Sequence, residues 1–282
     1  MVVERITSPD DARIEGYRAT RDGALARARG TFLAEGRLVV GALLERSDHR
    51  ARSVVVTEAA LAAIEGSVAI AAARWGAAPA VYLVDQPVID ALVGFHIHRG
   101  CIAEGERGRV RTAAEIAGAI EGDGVIVVTE GVNNHDNVGG IFRTALALGA
   151  RAVVIDPGTA DPLYRKAIRV SMGAALRVPW GASGELPRGL DVVRSAGFRC
   201  VALTPGDGAP EIGAFAAGGG ATGRIALVVG AEGPGITPAT AAACDARVRI
   251  AMAPGVDSLN VATATGIALH RLVRPEGYDC PS

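Results

Sequence analysis

GVIVVTEGVNNHDNVGGIFRTALALGA, residues 124–150, is the stretch that decides the fold. Val125–Thr129 is a short apolar run of the kind found in strands buried on both faces. A polar loop follows, rich in Gly, Asn and Asp, and then a segment, Val138–Leu148, with Ile141, Ala145 and Leu148 at helical spacing. Asn137 stands where an N-cap belongs. The same alternation continues downstream. Strands are predicted at Ala152–Ile155, Val201–Leu203, Ile225–Val229 and Val248–Ile250, and helices at Pro162–Ser171, Leu186–Ala196, Pro238–Ala243 and Leu259–Leu272. Such alternation means an α/β fold with a mainly parallel sheet, whose ligands sit in the loops at the C-terminal ends of the strands.

Three of those loops carry candidate chemistry. The first, from Glu130, offers Asn137, the pair Gly139 and Gly140 that allows close approach, and Arg143 within the first two helical turns. Alone it is equally a capped helix with an exposed Arg. The second, GAEGPGIT (230–237), has glycines that let backbone hug a ligand and Glu232 as an acceptor. Its glycine order is not that of a dinucleotide fingerprint, which leaves a nicotinamide enzyme as a poor alternative. The third, AMAPGVDSLNVATAT (251–265), bends at Pro254–Gly255 and offers Ser258 as an N-cap and Asn260 in the first turn. The small residues from Ala262 to Gly266 permit close packing, on a second copy or on the chain's own sheet. The Gly-rich Ala216–Gly223 reads as a mobile connection.

Working outward, residues 11–45 read as helix. Beyond them, apolar runs at Ser53–Thr57, Val68–Ala72 and Val81–Val84 read as strands, separated by helices Glu58–Ile64 and Pro87–Val93. This is a small α/β unit closing near Cys101–Ala103, joined by a polar linker to the second. The expected organisation is 1–105, a linker 106–123, and 124–282. Apolar residues make up 49% of the 282, enough for two cores, and aromatics only 4%. The four cysteines, Cys101, Cys200, Cys244 and Cys280, form no C-x-x-C pair, which argues against a disulfide framework or thiolate zinc site and for a reducing, cytoplasmic setting. Acidic residues come too early for a signal peptide, and no apolar run nears the ~20 residues of a membrane helix. The formal net charge of −1 means that any phosphate-binding surface is a local patch.

Taken together and in this order, NHDNVGGIFRTALALGA, LVVGAEGPGIT and IAMAPGVDSLNVATA closely resemble the three signature motifs of the SpoU/TrmH family, ribose 2′-O-methyltransferases of the SPOUT superfamily. The N-terminal GTFLAEGRLVVGALL resembles the L30e-like substrate-binding domain that many members carry. The resemblance implies a parallel-sheet catalytic domain with a C-terminal trefoil knot, a homodimer formed through it, and S-adenosylmethionine as methyl donor. It implies functional side chains at Arg143, Asn137, Glu232, Ser258 and Asn260, and cofactor contacts at Thr204, Gly206, Gly230, Glu232, Ile250, Met252, Ser258 and Leu259. The substrate it implies is RNA, with rRNA (23S foremost) favoured over tRNA; a catalytically silent RNA-binding protein is the alternative. The resemblance gives Arg143 the place to which the family's base role is assigned; a guanidinium normally titrates above ~12, so that role demands an unusual environment, and the expected role is contact with the target ribose and its phosphate. Here Asn134 stands where the family often has Pro, and Asp136 precedes Asn137.

Candidate RNA contacts are Arg27, Arg29, Arg37 and His135, each equally readable as solvated surface, and Arg99 with His96 and His98, for which RNA is a better partner than a metal. His96 and His98 form an H-x-H pair without an evident third ligand, so no metal site is expected.

Overall fold

The computed structural model describes residues 1–21, 23–94, 100–206 and 208–273; Arg99, His96, His98 and Cys280 lie outside the described residues. The chain forms two compact units, Met1–Arg109 with Pro162–Arg177, and Val110–Asp161 with Val178–Ser282. Among the described residues no helix is long and apolar enough to cross a membrane.

The first unit contains β1 (Val3–Arg5), β2 (Thr31–Glu35), β3 (Ala51–Val56), β4 (Ala80–Leu83) and β5 (Cys101–Glu106), in spatial order β1-β4-β3-β5-β2. β4 is parallel to β1 and β3, while β5 is antiparallel to β3 and β2. Two expectations fail here. Residues 11–45 are not one helix: Gly30 (φ +66°) and Gly36 (φ +89°) break it with left-handed backbone, and the buried Thr31–Ala34 between them pairs with β5. Val68–Ala72 is not a strand but the middle of helix Glu58–Trp75, which buries Ala60, Ile64, Ser67, Val68 and Ala71 at intervals of three and four. A five-residue apolar run cannot by its period be told from one face of a helix.

His49 sits against the edge of Phe32, with ring centroids 5.2 Å apart, and its Nδ1 donates to the Glu106 carbonyl at 3.2 Å. Burial pulls its pKa below the ordinary 6.5. The unfolded chain therefore takes up a proton before the folded one does. This contribution to stability is intact above 6.5 and is lost as pH falls from there toward the folded value. Urea unfolding of wild type and His49→Gln at pH 7.5 and 5.5 checks this, the variant being expected to lose less stability on acidification.

The second unit is built on β6 (Arg111–Thr112), β7 (Gly124–Glu130), β8 (Ala152–Ile155), β9 (Trp180–Ala182), β10 (Arg199–Leu203), β11 (Arg224–Gly230) and β12 (Ala246–Val248). Their order is β12-β10-β11-β7-β8-β9-β6, and all neighbouring pairs are parallel. From β7 the chain lays β8 and β9 on one side, then crosses to place β10, with β11 inserted against β7. The C-terminal ends of β10 and β11 border a cavity, through Leu203, Thr204, Val229 and Gly230. The strands are apolar because they are covered. Ile126, Val128, Val154 and Val228 pack on Leu190 and Val193 of helix Arg188–Ser195 and on Ile116 of helix Ala113–Gly118.

Outside this cluster, helices His135–Leu148 and Val261–Leu272 pack on each other, the first also against β8 and the second against β11. Small residues set their spacing: a Cβ on Gly140 would stand 2.6 Å from Ala262 Cβ, and one on Gly266 3.2 Å from Thr144 Cγ2. The small residues of the last helix thus serve a helix–helix contact within the unit. The segment read as a mobile connection contains a π-helical turn, Ala216–Gly220; Arg199 donates to the Gly220 carbonyl and lies over the Phe215 ring at 5.2 Å.

Candidate functional site

The spacing predicts Asn137 and Ser258 as N-caps, and the structure gives both roles to neighbours. Asn134 Oδ1 accepts from the Asp136 N–H at 2.8 Å, starting the helix at His135, so Asn137 falls inside the first turn and is buried. Asn260 Oδ1 accepts from the N–H groups of Ala262 at 3.0 Å and Thr263 at 3.2 Å. Sequence alone cannot place a cap to the residue when Asn, Asp and Ser crowd the same turn.

This cap organises the site. With its oxygen committed to the helix, the Asn260 amide nitrogen points away and donates to Asn137 Oδ1 at 2.8 Å and Glu232 Oε1 at 2.6 Å. One residue of the third loop thereby ties together the first and the second. Beside it lies a cavity of ≈ 110 Å³, open to solvent at its mouth. Thr204, Gly230, Glu232, Ile250, Met252, Ser258 and Leu259 all line it, together with Leu203, Val229 and Val261. Gly206 is not among the lining residues; its N–H donates to Thr204 Oγ1 at 3.1 Å, closing the turn after β10. The walls are mostly apolar with a few polar groups, the usual character of a small-molecule site.

Arg143 lies outside the lining. Its side chain is exposed and makes no hydrogen bond or ion pair within the described residues. His135 is half-buried at the start of the same helix. Arg27, Arg29 and Arg37 belong to the first unit and are exposed there; Arg29 lies 3.6 Å from Glu15, while Arg37 shares an open groove with Leu38, Arg46, Met172 and Arg177. Among the described residues no three His, Cys, Asp or Glu side chains cluster as metal ligands. Burial pushes the thiols of Cys101 and Cys244 up to about 12 and that of Cys200 up to about 11, which leaves them poor nucleophiles at neutral pH.

Sequence reasoning passed over two supports of these loops. Asp156 Oδ1 accepts from the Gly131 N–H at 2.9 Å and from Thr159 Oγ1 at 2.6 Å, and Thr159 Oγ1 in turn accepts from the Val132 N–H at 3.3 Å. Glu130, buried at the end of β7, accepts from the Thr237 N–H at 2.8 Å, Thr237 Oγ1 at 2.9 Å and Thr240 Oγ1 at 2.6 Å. The available signal was an acidic residue closing an otherwise apolar strand at the ligand edge of the sheet.

Comparison with known proteins bears on the same loops. Residues 124–270 match the SpoU rRNA Methylase family. A protein of Mycobacterium tuberculosis described as an uncharacterized tRNA/rRNA methyltransferase is 39% identical over 276 residues, covering 96% of this chain and 92% of its own. A 23S rRNA (guanosine-2′-O-)-methyltransferase of a Burkholderia species is 34% identical over 191 residues, 67% of this chain and 75% of its own. The crystal structure of an AdoMet-bound rRNA methyltransferase from Sinorhizobium meliloti superposes with a TM-score of 0.79 at 26% identity, covering 96% of this chain and 97% of that one.

Proposed function

This chain belongs to the SpoU rRNA Methylase family, and from that premise we propose that it moves a methyl group from S-adenosylmethionine to a ribose 2′-hydroxyl of ribosomal RNA, 23S rRNA foremost. The observation that carries this reading is the meeting of all three loops at Asn260, at the edge of a cavity of suitable lining. The cavity fits the methyl donor: apolar Leu203, Val229, Ile250 and Leu259 suit a flat base, and Thr204, Glu232 and Ser258 supply groups for hydroxyls and an ammonium. Its floor at Gly230 has no room for a side chain, since a Cβ there would stand 2.1 Å from the Gly235 carbonyl carbon. S-adenosylmethionine, when bound, supplies a methyl already made electrophilic by its sulfonium.

The protein's own residues then have two tasks, holding the hydroxyl in line and easing loss of its proton. Asn137, Asn260 and Glu232 form a fixed hydrogen-bonded line that keeps the loops in register. Arg143, without a partner among the described residues, offers a planar fork of donors to the target ribose and its phosphate. The names of the Burkholderia and Sinorhizobium relatives favour ribosomal RNA, while the mycobacterial name leaves transfer RNA as the second substrate. The same reading makes the first unit an L30e-like RNA-holding domain, with Arg37 contributing from its groove. It makes the C-terminal segment a trefoil knot and the working form a cytoplasmic homodimer.

The test supplies tritiated S-adenosylmethionine to the protein with unmodified rRNA, tRNA, ribosomal subunits and assembly precursors. Label is expected in the large rRNA, in dinucleotides that resist alkali because a methylated 2′-oxygen cannot attack the adjacent phosphate. Cofactor binding without labelling of any RNA would instead support a catalytically silent RNA-binding protein. Label in alkali-sensitive nucleotides would move the reaction to a base.

A further inference from the structure

The loop Ala231–Thr237 supplies one wall of the cavity through Ala231, Glu232, Gly233 and Gly235. Three of its seven residues are glycine or proline, and the chain reverses on itself within it: Gly235 N–H donates to the Ala231 carbonyl at 3.0 Å. Within it Glu232 is bonded to Asn260 and Ile236 packs against the core of the sheet. Both of its ends are held by one residue of the adjacent strand. At the entrance, the Glu130 carbonyl accepts from the Ala231 N–H at 3.0 Å. At the exit, the Glu130 carboxylate accepts from the Thr237 N–H, Thr237 Oγ1 and Thr240 Oγ1, at 2.8, 2.9 and 2.6 Å. Glu130 is 8% exposed and Thr240 fully buried, so these bonds are made away from water.

We propose that Glu130 is a positioning residue for the reaction: it closes the Ala231–Thr237 loop like a clasp and thereby fixes the cofactor wall and Glu232. The geometry favours this over a role confined to starting helix Pro238–Ala243. Thr237 alone already caps that six-residue helix, its Oγ1 accepting from the Thr240 N–H at 3.2 Å. Burying a carboxylate as well is costly unless its bonds do something more. Two oxygens are also what the arrangement requires: one serves the Thr237 N–H and the other both hydroxyls, and a carboxamide has only one acceptor oxygen to offer. The effect reaches the reacting region through Glu232, which accepts from Asn260 at 2.6 Å.

This inference rests on the cavity being the S-adenosylmethionine site, and the experiment separates the two. The dissociation constants of S-adenosylmethionine and its demethylated product are measured by calorimetry for full-length wild type, Glu130→Gln, Thr237→Val and Thr237→Ser, with the melting temperature of each. No binding by wild type overturns the functional reading itself. With wild type binding, Glu130→Gln and Thr237→Val are each expected to weaken affinity about tenfold, the scale of one lost charge-assisted bond. Thr237→Ser, which keeps the hydroxyl, is expected within about threefold of wild type on the same scale. In the methyl-transfer assay KM for S-adenosylmethionine should rise more than kcat falls. Variants that lose melting temperature but bind with wild-type affinity would overturn the proposal and leave Glu130 a purely structural group. Thr237→Val keeps Glu130 itself, so an answer survives if Glu130→Gln does not fold.

Discussion

Gly230→Ala is expected to yield a folded protein that no longer binds S-adenosylmethionine. A Cβ on Gly230 would stand 2.1 Å from the Gly235 carbonyl carbon and 2.2 Å from the Ile236 nitrogen. Carbon atoms in contact sit roughly 3.5–4.0 Å apart, so the returning arm of the loop must retreat by more than about 1 Å. The obstacle is backbone, which no rotamer change relieves, and the arm is tied back by Gly235 to Ala231 and by Thr237 to Glu130. Five cavity-lining positions, Gly230, Ala231, Glu232, Gly233 and Gly235, move together when it gives way. Affinity should fall by more than about a hundredfold, which is about 2.7 kcal/mol. Gly230 does not have a positive φ, so the expected loss is steric and local, not conformational. Gly223→Ala is the control: its φ of +80° makes any side chain strained by roughly 1–2 kcal/mol, but nothing lies within 4 Å, and it precedes β11 at the end away from the cavity. It should melt earlier yet bind the cofactor normally. Wild-type affinity in Gly230→Ala would mean that the loop opens without consequence and that the cofactor lies elsewhere.

What the sequence disclosed about this site, and what it hid, follows from which interactions are local. Strands such as β7, β8 and β11 are legible because burial on both faces leaves short apolar runs such as Val125–Val128. The loops between them are legible as ligand-facing because parallel topology puts them at one edge. The side-chain bonds inside the site are not legible, since Asn260 reaches Asn137 across 123 positions and Glu130 reaches Thr240 across 110. No periodicity encodes such pairings. Local ambiguity accounts for the rest. Asn134, Asn137, Ser258 and Asn260 all suit a cap, and only the packed helix shows which of them serves. In the first unit, TFLAE is a strand and not part of a helix, because the left-handed backbone at Gly30 and Gly36 cannot continue a helix and the segment between them pairs with β5.

Arg143→Ala is expected to remove methyl transfer and nothing else. Arg143 lies six residues beyond Asn137, roughly 9 Å along the helix axis, with its side chain exposed and bonded to nothing in the described fold. Truncating it takes away no packing and strands no partner, so stability should stay within about 0.5 kcal/mol of wild type. It does not line the cavity, so the affinity for S-adenosylmethionine should also be unchanged. A residue whose loss leaves fold and cofactor intact acts on the other substrate. If it stabilises the hydroxyl as its proton leaves, the rate at saturating RNA should fall by about a thousandfold, the scale of one preorganised donor aimed at developing charge. Arg143→Lys separates charge from geometry. An ammonium keeps the charge but not the planar fork proposed to contact ribose and phosphate together, so the lysine variant should recover less than about a tenth of the lost activity. Single-turnover methylation at saturating RNA is the deciding measurement, because it removes substrate affinity from the comparison. A wild-type rate in Arg143→Ala under those conditions would make Arg143 an RNA-binding residue only, and the proton would have to leave through a group of the RNA or of a second copy of the chain.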